Sequence, residues 1–215
     1  MPDTYRQDLQ ERDPHVTLIT PSAPITTPTH GGRAKCLQRL VRIDLPVPRT
    51  VAISFDTVHA IALGDMPDTA SILGYFAPGA LLCVRPSSED PDWGGPGSVL
   101  NIGMNDAAYV DLSDSIGTEA AAALYKRFVM SYAIHVARLD PDAFEDIESL
   151  GQEGLSQALR CYEEEAEEPF PQDPAVQLAE VLRYMARAWE GTTARLLRQA
   201  KGAPVDAGLG LVVQE

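Results

Sequence analysis

Residues 81–106, LLCVRPSSEDPDWGGPGSVLNIGMND, constrain this chain more than any other stretch. The apolar run Leu81-Leu82-Cys83-Val84 suits a strand buried on both faces. It ends in a single arginine, Arg85, and opens into a loop of Pro, Ser, acidic and Gly residues. Val99–Ile102 can return as the partner strand. Glycine lets backbone N–H groups approach an anion closely, and an arginine can clasp anionic oxygens in a fork. The order strand, arginine, glycine loop, strand is therefore compatible with a phosphate site. A plain surface loop is the other reading that the composition allows.

The rest of the chain alternates strand and helix patterns. Val16-Thr17-Leu18-Ile19 reads as an edge strand, and Pro21 to Pro28 as an extended connector. Leu37, Leu40 and Val41 recur at helical spacing, which predicts a helix over 34–42 behind Gly31-Gly32. Pro46 and Pro48 end it. A strand is predicted over Val51–Phe55, then a helix over Asp56–Leu63 with Asp56 as its N-cap. From Thr118 to Leu139 the period becomes 3.6, with Ala121, Leu124, Phe128, Tyr132 and Val136 on one face. Asp140-Pro141 breaks that helix. Further helices are expected from Asp142 to Leu150 and from Gln152 to Glu168. A last long helix opens at Asp173-Pro174, and Gly210–Val213 reads as the final strand. The pattern is a mixed α/β body with a helical insertion.

The 215 residues allow one large domain or two small ones, and 45% hydrophobic content permits a sizeable core. A net charge of −14 without a basic stripe argues against nucleic acid and anionic membranes as partners. No apolar run approaches the roughly 20 residues that span a bilayer. The polar start MPDTYRQDLQERDPH has no signal-peptide core, so a cytoplasmic location is expected. Cys36, Cys83 and Cys161 are far apart and form no C-x-x-C, so neither zinc nor a disulfide framework is indicated. Cys83 is expected to be a small buried hydrophobe. The run Glu163-Glu164-Glu165 with Glu167-Glu168 reads as a solvated helix end, because consecutive carboxylates spread around a helix.

Several collinear segments resemble the pyruvate, phosphate dikinase family. Val84-Arg85, the Trp93-Gly94-Gly95-Pro96-Gly97 loop and Val99-Leu100-Asn101-Ile102-Gly103-Met104-Asn105-Asp106 follow its V-R-S-G-A, M-P-G-M-M-D-T and V-L-N-L-G-L-N-D order. His30-Gly31-Gly32-Arg33-Ala34-Lys35-Cys36-Leu37 resembles its G-G-K-G-A-N-L opening, and Leu45-Pro46-Val47-Pro48 its L-P-V-P. Tyr125-Lys126-Arg127-Phe128 resembles Y-R-R-F, and Phe170-Pro171-Gln172-Asp173-Pro174 through Leu178 resembles F-P-Q-D-P-x-x-Q-L. Asp206-Ala207-Gly208 to Gln214 is similar to D-x-G-T-A-V-N-V-Q. The likeness runs over residues 28–215.

The resemblance implies the first part of an ATP-grasp nucleotide-binding domain with a helical insertion. It divides the chain into an extended or poorly ordered segment 1–30, an α/β nucleotide-binding subdomain 31–118, a helical insertion 119–170, and a long helix with the truncated start of a second ATP-grasp subdomain over 171–215. It implies ATP with Mg²⁺ as cofactor, with Arg33, Arg85 and Gly94 in the phosphate-contacting positions. Arg33 stands where the family has lysine, with Lys35 as a possible substitute, and Ala34 where it has glycine. Glu89, Asp90 and Asp92 add negative charge to the loop, and an Arg85 pairing with Glu89 or Asp90 competes with nucleotide contact. The adenine-holding hinge and the magnesium ligands belong to the second subdomain, so no metal ligand and no catalytic residue is carried over. Such a kinase or phosphotransferase module would need another chain or segment to complete its cleft. The competing expectation is a non-catalytic interaction or regulatory protein that binds a partner along an uncovered Leu211-Val212-Val213 edge.

Overall fold

The computed structural model describes residues 16–215. It is a mixed α/β fold around one five-stranded antiparallel sheet of order β1-β2-β5-β3-β4. The strands are β1 (Val16–Leu18), β2 (Thr50–Ile53), β3 (Leu82–Ser88), β4 (Val99–Ile102) and β5 (Leu209–Gln214). The residues Val51, Val213, Val84 and Val99 stand side by side across four strands, and all four are buried. β-Branched side chains pack well in such rows on a pleated surface. Because side chains alternate along a strand, the next row, Ala52, Val212 and Arg85, points to the opposite face.

The two faces are covered differently. The valine face carries most of the helices, including α2 (Phe55–Leu63), α5 (Thr118–Ser131) and α8 (Pro174–Glu190), and the main core. The Ala52–Val212 face carries α1 (Thr27–Arg42), with Ile19, Ile25 and Ala34 making a second, smaller core. Within the helical mass, Phe170 is a hub. Its ring lies 6.0, 5.6, 5.3 and 5.2 Å from those of Tyr125, Phe128, Tyr132 and Tyr162, each close to edge-on. Edge-to-face contacts of this kind suit the aromatic quadrupole. Burial pushes the Tyr162 phenol up to about 12.

Helix α1 is broken near its start. Gly31 has φ +82°, in the left-handed region, and a side chain there would run into the Ser87 carbonyl. At the break the Ser87 hydroxyl stands between helix residues four apart: it donates to the His30 carbonyl (2.6 Å) and accepts from the Ala34 N–H (3.0 Å). It therefore replaces the helical bond that the kink opens. Gly210 of β5 allows the same approach, since a Cβ there would stand 2.6 Å from the His30 carbonyl oxygen.

Several boundaries differ from the sequence expectations. Ser54, not Asp56, caps α2, accepting from the Thr57 N–H at 3.2 Å, and β2 accordingly stops at Ile53. The Thr118–Leu139 helix is α5 followed by a π-helical turn over Tyr132–Val136. Only Asp142–Glu145 (α6) of the next expected helix forms, and α7 runs Gly151–Ala166 with its acidic end in solvent, as expected. Helices α3 (Thr69–Leu73) and α4 (Asp106–Ile116), the latter capped by Asn105, are unanticipated. α8 is not the last helix, because α9 (Thr192–Ala200) follows it. Cys83 is half-buried rather than buried. The expected open edge at Leu211–Val213 is not there. β5 is the central strand, bonded on both sides by β2 and β3, because its uninterrupted apolar sequence suits the most enclosed position. Of the N-terminal segment, residues 1–15 lie outside the described residues, and Val16–Leu18 forms the edge strand β1.

Replacing Ser87 by Ala leaves a buried carbonyl and a buried N–H unpaired, which costs about 1–3 kcal/mol. Urea unfolding of Ser87→Ala should show an unfolding free energy lower by that amount, seen as a lower midpoint with an unchanged slope.

Candidate functional site

The break in α1 determines where its next residues go. Gly31 turns the chain so that Gly32, Arg33 and Cys36 face the end of β3 and the loop beyond it. These residues, with Pro86, Ser87, Ser88, Pro91, Gly94 and Gly95, line a cleft of about 620 Å³. The loop itself is shaped by Asp90. Its carboxylate accepts from the Asp92 N–H (2.8 Å) and starts a short 3-10 turn, Pro91–Trp93. Gly94 (φ +83°) then reverses the chain into the left-handed region. Gly95 lies against the Trp189 ring, where an added Cβ would stand 3.4 Å from the indole.

Of the residues expected at a phosphate site, Arg33 and Gly94 both line this cleft. Arg85 sits beside Arg33 rather than in the wall. The Arg33 guanidinium is held below its usual range first by partial burial and then by the Arg85 charge, with the Cys83 thiol opposing. Two like charges are thus held near one another without relief. Neither arginine has a hydrogen-bond or ion-pair partner among the described residues, and the Arg85 Nε is buried with its N–H unmatched. The competing pairing of Arg85 with Glu89 or Asp90 does not form. Asp90 is turned toward its own loop backbone instead.

Lys35 cannot replace Arg33. Its ammonium donates to the Ile25 carbonyl and to Gln38 Oε1, both at 2.8 Å, so it fastens α1 to the connector before it. Gln38, fully buried, continues the same anchor by donating to the Thr20 and Ala23 carbonyls. Sequence reasoning had no signal for Ser87 or Cys36, because each acquires its place only when α1 docks on β3.

A second cavity, of about 430 Å³, lies between α2, α8 and α9. Its cations are already satisfied. Arg195 pairs with Glu190 at 3.0 Å, and Arg198 stacks 3.6 Å over the Trp189 ring while donating to the Trp189 carbonyl at 2.7 Å. The cations beside the Gly94 cleft, by contrast, lack counter-charge among the described residues. No group of three or more His, Cys, Asp or Glu side chains converges among the described residues, so no magnesium ligand is assigned here. No helix among those residues is long and apolar enough to cross a membrane.

The chain is similar to a pyruvate, phosphate dikinase. The relative comes from Rhizobium meliloti (strain 1021) and is 27% identical over 220 residues, which takes in 86% of this chain. The chain spans only 24% of that enzyme's length. No family model matches the chain.

One titration follows from the same corner of the fold. His30, with 7% of its surface exposed, has its pKa lowered by burial, and its Nδ1 lies 2.8 Å from the Thr29 hydroxyl. The folded state thus binds its proton less readily than the unfolded chain. Stability from this group is complete above the unfolded value of about 6.5 and is lost as the pH falls below it. Unfolding free energies measured at pH 7.5 and below about pH 6.5 should therefore differ, and His30→Asn should reduce the difference.

Proposed function

We propose that this chain is the phosphate-binding portion of an ATP-dependent phosphotransferase of the pyruvate, phosphate dikinase type, built as the first part of an ATP-grasp domain. The observation that carries the reading is the pair Arg33 and Arg85, adjacent, unpaired and beside a glycine loop, in a chain of net charge −14. A strongly acidic protein has abundant carboxylates with which to neutralise two arginines. Leaving both without a partner favours an external anion with several oxygens. The fork geometry of arginine suits the triphosphate of ATP, and Gly94 lets the loop backbone come close to it.

On this reading Arg33 and Arg85 bind and orient the phosphates and offset charge that develops during transfer. Arg85 is half-buried, which strengthens its contact because fewer waters compete, while Arg33 is more exposed. The adenine pocket and the metal-binding carboxylates come from polypeptide beyond this sheet, on the same protein or on a partner chain. Phosphoryl transfer by the described residues alone is not expected.

Calorimetric titration with ATP should give weak, saturable binding. Arg85→Ala should weaken it about tenfold or more, as expected for loss of a charge-assisted hydrogen bond. Arg33→Ala should do likewise, and Arg33→Lys should recover part of the loss. Equal affinity in the parent chain and both alanine variants would refute the assignment.

A further inference from the structure

The glycine loop has a second neighbour besides Trp189. A Cβ built on Gly94 would stand 3.4 Å from the Nζ of Lys201. Lys201 lies far along the chain, just after α9, and its ammonium reaches a residue that lines the 620 Å³ cleft. We infer that Lys201 is a third cation of the phosphate site, a positioning residue that holds the glycine loop against a bound polyphosphate. This inference rests on the reading of Arg33 and Arg85 given above.

Three observations support it. The first is that the base of the side chain is rigidly placed. Lys201 caps α9, the Gly202 N–H returns to the Gln199 carbonyl (2.9 Å), and the Ala203 N–H returns to the Arg198 carbonyl (3.0 Å). With Gly202 at φ +86° this is a Schellman ending, which leaves little freedom at the Lys201 backbone. Arg198, one turn earlier and 5% exposed, is locked beneath Trp189. The same Trp189 supports Gly95, so one packed unit sets both the loop and the root of Lys201.

The second observation is that the ammonium is unspent. The Lys201 ammonium has no hydrogen bond or ion pair among the described residues, although Glu89, Asp90 and Asp92 stand on the loop it reaches. The third is the charge balance of the site. Those three carboxylates would repel a triphosphate, and Arg33 and Arg85 lie on the α1–β3 side of the cleft. A cation from α9 supplies the missing positive charge on the loop side. An ammonium also suits this place, since a compact point charge does not need the alignment that a guanidinium fork demands.

Inorganic tripolyphosphate and ATP are the probes, titrated into the full chain while Trp93 on the loop and Trp189 beneath it report by fluorescence. Lys201→Ala should weaken both probes by about threefold to tenfold, and Lys201→Arg should retain most of the affinity. The thermal midpoint without ligand should be the same in all three proteins. Lys201→Ala should also flatten the dependence of affinity on salt. Unchanged affinity in Lys201→Ala beside a large loss in Arg85→Ala overturns the inference and leaves the arginine assignment standing. Equal losses in Lys201→Ala and Lys201→Arg, with a lower thermal midpoint in both, overturn it in favour of a structural role. No saturable binding by the parent chain overturns both readings together.

Discussion

The insertion of one hydroxyl into a helix organises the end of the sheet where Arg33 and Arg85 lie. Ser87 takes the place of the bond between the Ala34 N–H and the His30 carbonyl, and so welds the kink of α1 to the end of β3. The weld is possible only because Gly31 and Gly210 remove the side chains that would separate helix from sheet. Its consequence is local and electrostatic. The residues after the kink cannot avoid β3, and Arg33 is brought beside Arg85 although the two repel. On the proposed reading, this repulsion without a neutralising carboxylate preorganises the pair for an anion.

The two faces of the sheet divide the labour. On the valine face, helices bury aromatic and aliphatic side chains around Trp189, Phe128 and Tyr125, and this is where most of the folding free energy originates. On the other face α1 lies over Ala52 and Val212, and the row that contains them ends in Arg85. An arginine on a central strand is tolerated there because that face has a smaller apolar cover. The Trp189–Arg198 stack links the main core to the glycine loop. It belongs to the main core, yet its indole also supports Gly95 and its partner helix carries Lys201.

Much of the fold was legible in the chain. Val16–Leu18 could be read as an edge strand, Val99–Ile102 as the partner of the apolar run before Arg85, and α8 from Asp173-Pro174. What was misread has separate physical causes. The edge assignment of Leu211–Val213 treated nearness to the chain's end as exposure, whereas strand order depends on pairing across the whole chain. The cap of α2 passed to Ser54 because a short hydroxyl two residues earlier reaches the free N–H of Thr57. Helix α4 was missed because its stripe is weak and its residues are largely exposed or half-exposed, so hydrophobic periodicity had little to report.

The sequence by itself determined the local alphabet of this protein: strand and helix types, an acidic surface, and two arginines each placed next to glycine-rich backbone. These follow from side-chain chemistry and short-range sterics, which act within a few residues. Only the tertiary structure decided that the two arginines meet, that Lys35 is occupied with anchoring, that Asp90 serves its own loop, and that Lys201 reaches Gly94. Those outcomes depend on which distant groups compete for the same charge. That competition is settled when α1 and the α8–α9 pair close on the sheet, because only then are water and alternative partners excluded.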